Sequence, residues 1–269
     1  MTTTIPSGSP DAAVTPGPDG AATWIVLPTY DEAENLPGIV AAIRSALPEA
    51  TVLVVDDASP DGTGAIADGL AAADDRVRVR HRAGKAGLGR AYLDGFGVAL
   101  AGGAAAIIQM DADWSHDPAA LPGLLAPIAD GSADLSIGSR YVRGGRVEDW
   151  GVGRRLISRL GSVFARVVLS LRAHDLTGGF KAWRGSTLAA IHFDGIHAGG
   201  YVFQIEMTHR ASRAGARIVE VPITFRDRLV GKSKMSRRII AEALLVVLRL
   251  RAEEIVTGLR GRPGRRGGG

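Results

Sequence analysis

Short apolar segments alternate with segments of helical length from Trp24 to about residue 140, and this alternation restricts the possible fold more than any other feature of the chain. The strand-like segments are TWIVLPTY, TVLVVDD, RVRVRHR, AAAIIQMD and ADLSIGSR, and intervening segments such as 32–46 and 118–130 have room for helices. This order predicts an α/β fold, a mostly parallel central sheet with helices on both faces.

After Gly138 the alternation weakens. We expect helices over 154–172, 202–214 and 236–255 and extended chain over 178–183 and 217–225. The domain prediction is a disordered leader over 1–22, a catalytic domain over 23–235, a C-terminal interfacial helix over 236–257 and a disordered basic tail over 258–269.

Composition excludes several classes of protein. A chain of 269 residues with 46% hydrophobic and 22% charged residues buries a substantial core, so it is not a disordered protein. Without cysteine it has neither disulfides nor thiolate metal sites. The net charge is +4. No nucleic-acid partner is expected. The longest apolar stretch, 239–250, contains Glu242 and Arg249 and is shorter than the ~20 residues of a membrane-spanning helix, so we expect a soluble or peripheral chain.

Acidic side chains follow three of the predicted strands. They are Asp31 and Glu32 beside Tyr30, then Asp56 and Asp57, and finally Asp111 and Asp113. Because parallel strands end at one edge of a sheet, we expect these acids to converge on one site. The last two flank only Ala112, and carboxylates that close repel unless a cation or a shared proton lies between them. Hard oxygen ligands suit Mg²⁺ or Mn²⁺, which would bridge to a diphosphate.

Other nucleotide-dependent chemistries fit less well. A dinucleotide site would need G-x-G-x-x-G after the first strand, and a nucleotidyltransferase would need a glycine-rich loop with a lysine there, but DEAENLPG follows instead. The GKAGLGRA segment, 84–91, matches neither the dinucleotide fingerprint nor a P-loop. Its backbone amides would form an anion cradle or simply an ordinary loop that opens a helix.

Eight motifs occur in order from Leu27 to Met235. They are LPTYDEAENL, VVDDASPDGTG, GKAGLGRAYLDGF, MDADWSHDP, GSRYVRGG, DLTGGFKAWR, GYVFQIEM and FRDRLVGKSKM. With these motifs the chain resembles the dolichol-phosphate (polyprenol-phosphate) mannose synthases, inverting family 2 glycosyltransferases with the A-type fold. The resemblance implies metal-dependent transfer of mannose from GDP-mannose to a polyprenyl phosphate, with Mg²⁺ or Mn²⁺ as cofactor.

The resemblance also assigns the donor site. It implies that Pro28, Tyr30, Glu32 and Asp56 line the guanosine pocket, and that Asp111 and Asp113 hold the metal, with Ala112 allowing close backbone approach. A tyrosine can stack on a base, and carboxylates accept from ribose hydroxyls or from the guanine amino group. The family often has glutamine or serine two positions after the second aspartate, and here it is Ser115. A serine oxygen is a poor metal ligand, so water would take that place.

Basic residues are assigned to the two phosphate-bearing substrates. The resemblance implies that Arg140, Arg226 and Lys234 contact the nucleotide sugar, and that Asp113, Arg140 and Lys234 are catalytic. The acceptor phosphate would be bound by Arg140, Arg154, Asp175, Thr177 and Ser233, with Asp175 orienting an arginine. His116 and His174 are interpreted as structural, Met207 as a core residue, and Glu206 as a helix-packing residue or a sugar contact.

Two further functions stay open at this point. One is a polyprenyl-phosphate glucose synthase, and the other is a catalytically silent nucleotide-binding subunit of a membrane enzyme. We expect a peripheral position on the cytoplasmic face of the membrane, with the segments 154–172 and 237–251 as interfacial helices. Some family members carry spanning helices after the catalytic domain, whereas this sequence stops at Gly269. A separate integral-membrane partner is therefore also expected.

Overall fold

The computed structural model describes residues 15–148, 151–193, 195–196, 200–226 and 237–260. Its strands are β1 (Thr23–Thr29), β2 (Thr51–Asp56), β3 (Val77–His81), β4 (Ala106–Gln109), β5 (Leu135–Ser139), β6 (Arg146–Val147), β7 (Lys181–Arg184), β8 (Ile218–Pro222) and β9 (Thr224–Phe225). Its helices are α1 (Leu36–Ala46), α2 (Thr63–Ala73), α3 (Leu88–Ala101), α4 (Leu121–Ala129), α5 (Val152–Val168), α6 (Gly185–Ala189), α7 (Gly200–Arg213) and α8 (Arg237–Arg260). One turn of 3-10 helix, Pro118–Ala120, precedes α4.

Seven strands form one sheet in the order β3-β2-β1-β4-β7-β5-β8, and β6 pairs with β9 in a separate small sheet. All five strand-like segments predicted before Gly138 lie in the large sheet, and its neighbouring strands are parallel except at β7. Strand β7 runs antiparallel to β4 on one side and to β5 on the other. The prediction of a mostly parallel sheet is therefore confirmed.

Helices cover both faces of the large sheet, and β1 shows why its sequence is almost wholly apolar. Trp24 and Val26 pack on one face with Phe96 of α3, whereas Ile25 and Leu27 pack on the other face against α1. Alternate side chains of a strand point to opposite faces, so both sets must be apolar when both faces are covered. Helix α3 lies so close to β1 that a methyl group at Gly95 would come within 2.4 Å of Val26 Cγ1.

Helix α1 lies within the segment 32–46 and begins at Leu36, because residues 32–35 form a turn in which the Leu36 amide donates to the Glu32 carbonyl. One predicted element is wrong. The segment 217–225, predicted as one strand, is divided between two sheets. Strand β8 ends at Pro222, which has no N–H, and the Ile223 carbonyl already accepts from the Arg146 amide next to the small sheet.

The two ends of the described chain also differ from expectation. Residues 15–22, predicted as part of a disordered leader, form a turn closed by hydrogen bonds from Gly17 to Ala21 and from Gly20 to Gly17. Helix α8 continues to Arg260, past the predicted end of the interfacial helix. Among the residues that the structure describes, no helix combines the length and the apolar character needed to cross a bilayer.

Candidate active site

A cavity of about 500 Å³ opens at the edge of the large sheet where β1, β2 and β4 end. These strands are parallel, so the residues that follow them reach the same edge. The predicted site residues that line the cavity are Pro28, Tyr30, Glu32, Asp111, Ala112, Asp113, Arg140 and Thr177. Acidic strand ends and a buried arginine therefore face one another across a single space.

The turn after β4 presents both aspartates to this cavity. Trp114 has a left-handed backbone with φ of 61°, and the Ser115 amide donates to Asp113 Oδ1 at 3.1 Å. The Asp111 amide donates to Nδ1 of His116 at 3.2 Å, which closes the turn from its other end. The chain thus reverses within a few residues, and the carboxylates stay at the rim instead of entering the core.

The Asp111 carboxylate is held by a buried phenol. Tyr92 of α3 donates its hydroxyl proton to Asp111 Oδ1 at 2.7 Å. Burial, together with the charges of Asp111 and Asp113, raises the pKa of Tyr92 well above its ordinary value, so the phenol remains a neutral donor. This contact leaves Asp111 Oδ2, which lies on the side of Gly179, available to a ligand in the cavity.

The donor set fits a hard divalent cation. Asp111 and Asp113 supply carboxylate oxygens at one strand end, and Asp113 is only 4% exposed. Within the described ranges no group of three or more His, Cys, Asp or Glu side chains is arranged for a metal ion. A cation here would therefore complete its coordination with diphosphate oxygens and water, as Mg²⁺ commonly does.

Arg140 is fixed by a buried carboxylate. Its Nε and Nη2 donate to Oδ2 and Oδ1 of Asp175, both at 2.7 Å, and its backbone amide donates to Asp175 Oδ2 at 3.0 Å. Burial opposes the charge, but Asp175 outweighs it, so the pKa of Arg140 is raised and that of Asp175 lowered. Asp175 does not line the cavity; it positions the arginine that does.

Two further predicted residues lie apart from the cavity lining, and the side chains of three others fall outside the described part of the chain. Asp56 is not part of the cavity lining and accepts from Thr29 Oγ1 at 3.3 Å and from the Ser59 amide at 3.3 Å, whereas the next residue, Asp57, lines the cavity. The assignment of Asp56 to the guanosine pocket stays a prediction. Arg226 is exposed and pairs with Glu148, Nε to Oε2 at 3.1 Å, outside the lining. Arg154 lies in α5, but its side chain is not described. Ser233 and Lys234 fall outside the described residues altogether.

The glycine-rich segment contributes to the site in a way that its sequence did not indicate. The Ala86 and Gly87 amides donate to Asp57 Oδ2 at 3.2 and 3.3 Å, so these amides are already occupied by a protein carboxylate. Asp57 also pairs with Arg82. Lys85 lines the cavity, with its Nζ 3.3 Å from the centre of the Tyr30 ring. A cation therefore lies on the aromatic face at which a base was expected.

The remaining predictions have mixed outcomes. His116 is 1% exposed, stacks on Phe180 at 4.8 Å between ring centres and lines the cavity, so it is both packed and within reach of a ligand. His174 Nδ1 lies 2.8 Å from Glu220 Oε2 at the surface, which fits a structural role. Met207 is buried in the core, as expected. Glu206 pairs with Arg210 at 2.8 Å along α7 and does not line the cavity.

A buried polar network lies behind the cavity. Lys181 of β7 is fully buried, and its Nζ donates to the Gln204 carbonyl at 2.8 Å, to Gln204 Oε1 at 3.2 Å and to Thr208 Oγ1 at 2.8 Å. Burial lowers the pKa of Lys181 to about 7. The charge of Arg140 lowers this pKa further, whereas the charge of Asp175 raises it. The three acceptor oxygens favour the ammonium form, whereas the loss of solvation favours the neutral amine.

This shift predicts a pH-dependent difference between the native protein and Lys181→Met. Above pH 7 the unfolded lysine keeps a proton that the folded lysine has lost, so the unfolding free energy of the native protein should rise with pH. Relative to the variant, the rise should be roughly 1 kcal/mol per pH unit between pH 7.5 and 9.5. Urea denaturation of both proteins measures it, and parallel pH profiles would contradict it.

The chain belongs to glycosyl transferase family 2, whose family model matches residues 24–190. Over 239 residues it is 49% identical to the undecaprenyl-phosphate mannosyltransferase of Micrococcus luteus, a match that covers 89% of this chain and 98% of that protein. It is also 49% identical, over 226 residues, to the polyprenol monophosphomannose synthase of Mycolicibacterium smegmatis, with coverage of 84% and 85%. The family resemblance drawn from the eight motifs is confirmed.

Solved structures confirm the A-type glycosyltransferase fold. Glucosyl-3-phosphoglycerate synthase from Mycobacterium tuberculosis, solved with Mn²⁺, uridine diphosphate and glucosyl-3-phosphoglycerate, aligns with a TM-score of 0.64, covering 87% of this chain and 81% of that one. The same enzyme solved with Mg²⁺ and uridine diphosphate aligns with a TM-score of 0.63, covering 87% and 80%. At 19% and 18% identity these likenesses concern the fold alone.

Proposed function

We propose that this chain transfers mannose from GDP-mannose to a polyprenyl monophosphate with inversion at the sugar carbon, and that it uses Mg²⁺ or Mn²⁺. The observation that carries the proposal is the cavity itself, in which two carboxylates at the end of β4 face a buried arginine that is permanently charged. Such a site accommodates a nucleotide diphosphate beside a second phosphate. The two mannosyltransferase-named relatives, each 49% identical, support mannose as the sugar and polyprenyl phosphate as the acceptor.

The reaction needs little acid or base chemistry. An oxygen of the acceptor phosphate attacks C1 of mannose from the face opposite GDP, and the new C1–O bond forms as the bond from C1 to the β-phosphate oxygen breaks. The electron pair leaves with GDP. A phosphate monoester is largely ionised near neutral pH, so no proton has to be removed from the nucleophile. Catalysis then rests mainly on positioning and electrostatic stabilisation.

In this proposal one group of side chains binds the nucleotide sugar and another binds the acceptor phosphate. Asp111 and Asp113 would hold a divalent cation, which when bound neutralises charge on the departing diphosphate. Tyr30 and Glu32 bind the nucleoside, once Lys85 has moved from the ring to a phosphate. Arg140, held by Asp175, takes the acceptor phosphate with Thr177.

Four further residues that the family resemblance assigns to the substrates are proposed as phosphate contacts. Arg154, Ser233 and Lys234 stay candidates for phosphate contacts. Arg226 would join them only on leaving its ion pair with Glu148.

A transfer assay tests the proposal directly. The purified chain is incubated with GDP-mannose, a polyprenyl phosphate and Mg²⁺ or Mn²⁺, and the lipid product is identified by mass spectrometry. We expect mannosyl phospholipid with the anomeric configuration opposite to that of the donor, and loss of product with a chelator. Parallel reactions with UDP-glucose and GDP-glucose distinguish a glucose synthase, and the absence of transfer from every donor would indicate a silent nucleotide-binding subunit.

We further propose that α5 and α8 hold the cavity at the cytoplasmic surface of the membrane. Along α5 the exposed apolar residues recur every three or four positions: Leu156, Leu160, Val163 and Val167, which are 40–69% exposed. The neighbouring helix α8 exposes Leu244, Leu245 and Leu248. Apolar helix faces flanked by arginines suit the boundary between headgroups and acyl chains, where arginine side chains reach the phosphates.

Serine at Leu160, Leu245 and Leu248 together should reduce transfer to a long-chain acceptor about 10-fold, while a short water-soluble acceptor is used normally. The physical reason is that each leucine loses apolar contact with acyl chains, whereas these exposed positions contribute little to the core. Sedimentation with anionic vesicles at low and high salt, together with activity on both acceptors, measures the effect.

Val247 provides the matched control, because it lies in the same helix but is only 1% exposed. It belongs to the core and not to the surface that contacts lipid, so Val247→Ser should lower thermal stability and impair both acceptors equally. If the triple serine variant behaved in the same way and still bound vesicles, the exposed leucines would not be a membrane contact.

A further inference from the structure

Gln204 of α7 forms part of the cavity wall, although its side chain is almost completely buried and the residue is only 2% exposed. Its Oε1 accepts from Gln109 Nε2 at 2.7 Å and from Lys181 Nζ at 3.2 Å. In the part of the chain that the structure describes, no atom accepts from Gln204 Nε2. Nε2 is not among the enclosed side-chain atoms that lack a partner in the described residues, so it reaches the cavity, where a ligand can accept its hydrogen bond.

The orientation of this amide is fixed by the chemistry of a neighbouring indole. Trp183 Nε1 can only donate, and it donates to Gln109 Oε1 at 2.9 Å. Gln109 must then turn its NH₂ group towards Gln204, whose Oε1 accepts it. A flipped Gln204 would place its NH₂ group against the NH₂ group of Gln109 and against Lys181. The buried network therefore holds Nε2 on the side of the cavity.

Gly179 shows where this donor lies relative to the aspartates. A methyl group at Gly179 would lie 3.4 Å from Gln204 Nε2, 3.6 Å from Asp111 Oδ2 and 3.6 Å from His116 Cε1. The amide thus borders the same small space as the carboxylate proposed to hold the metal. Gln204 Nε2 and Asp111 Oδ2 are therefore at most about 7 Å apart, a gap that a sugar ring spans.

We propose that Gln204 Nε2 donates a hydrogen bond to a hydroxyl of the transferred sugar and that this contact helps to select the donor. The inference rests on the proposed function, since it concerns the sugar of the same nucleotide. Both a sugar hydroxyl and a diphosphate oxygen accept hydrogen bonds. The hydroxyl is the better match for a neutral amide, because Arg140 and Lys85 on the same cavity provide the cations that phosphates favour.

Two variants remove the donor in different ways. Gln204→Glu keeps an oxygen for Gln109 and Lys181 and replaces only the NH₂ group, so the network survives. Gln204→Leu removes both functions without adding a charge beside Asp111. Circular dichroism and thermal unfolding establish that each variant is folded, and an effect common to both variants is attributable to the lost donor.

The experiment measures kcat/KM for a series of donors that each lack one sugar hydroxyl. The native enzyme is first screened with GDP-mannose, GDP-glucose and UDP-glucose, and the deoxy series is built on the donor that it uses. We expect one deoxy donor to be used roughly 100-fold less well than its parent by the native enzyme, and both Gln204 variants to use the two about equally. Affinity for the free nucleoside diphosphate should change less than about threefold.

The outcomes separate this inference from the proposed function. Use of a donor other than GDP-mannose overturns the proposed donor, but leaves the comparison of native and Gln204 enzymes intact. Equal discrimination by native and variant enzymes overturns the sugar contact. A parallel loss of affinity for the nucleoside diphosphate in both variants assigns Gln204 to a phosphate oxygen instead, and this also overturns it.

Trp183→Phe tests whether the network positions the amide. It removes the indole donor without touching the cavity, so Gln109 and Gln204 become free to flip. We expect discrimination against the critical deoxy donor to fall by about 10-fold, while affinity for the nucleoside diphosphate is unchanged. Unaltered discrimination in a folded Trp183→Phe enzyme would show that Gln204 is held without the indole.

Discussion

Asp113→Asn should reduce transfer at least about 1,000-fold while leaving the protein folded. The substitution keeps the size of the side chain and still offers an oxygen to the Ser115 amide, which Asp113 Oδ1 now accepts at 3.1 Å. It removes one of the two negative charges that would bind the cation, and losing that stabilisation of the departing diphosphate corresponds to several kcal/mol in the transition state. Steady-state transfer assays over a range of Mg²⁺ and Mn²⁺ concentrations measure the loss.

Asp130→Asn is the matched control for this prediction. Asp130 is an exposed aspartate at the end of α4, and it accepts from the Ser132 amide much as Asp113 accepts from Ser115. Its replacement should leave kcat/KM and the metal requirement unchanged. Near-normal turnover of Asp113→Asn, with the same metal dependence as the native enzyme, would remove the argument that this pair of carboxylates binds a cation.

Asp175→Asn should destabilise the fold by about 3–5 kcal/mol and abolish transfer. Asp175 is completely buried, and its two oxygens accept from Nε and Nη2 of Arg140 at 2.7 Å. An asparagine there leaves a buried guanidinium without a counter-charge and also offers it an NH₂ group. Urea denaturation gives the change in unfolding free energy, and the transfer assay gives the functional loss.

The surface pair of Asp134 and Arg217 is the natural comparison. Arg217 Nε and Nη2 donate to Asp134 at 2.9 and 2.8 Å, so the two-point geometry is similar, but the Arg217 side chain is 56% exposed. Asp134 also accepts from Arg184 Nε at 3.1 Å, but both arginines reach solvent. Asp134→Asn should therefore cost only about 1 kcal/mol, because water solvates the freed arginines. Equal losses for the two variants would show that burial does not determine the effect at Arg140.

Much of the fold follows from the sequence because periodicity reports burial. Except for β3, which alternates valine with arginine, the strands before Gly138 are largely apolar runs, and a run such as WIVL must be covered on both faces. The reversed strand β7 was not predictable in this way. Its pairing with β4 and β5 depends on contacts with residues more than 40 positions away in the chain, and local pattern does not report strand direction.

The site was predictable where chemistry and strand ends coincide, as at Asp111 and Asp113. Of the two neighbouring aspartates after β2, Asp57 lines the cavity and Asp56 does not, because adjacent side chains at a strand end point to opposite sides and the sequence does not give the phase. Gln204 escaped notice because a glutamine in an amphipathic helix carries no signal of its own. Its meaning comes from Gln109 and Trp183, which are remote in sequence.

The central position of β7 also has a consequence for synthesis of the chain. Until Lys181–Arg184 has left the ribosome, the growing sheet ends at β4, whose AIIQ backbone has an open, apolar edge. Strands β5 and β8 have no connection to that edge except through β7. Truncated chains that stop before residue 181 should therefore aggregate through β4 and engage chaperones, whereas chains extended past residue 184 close this edge and become resistant to proteolysis.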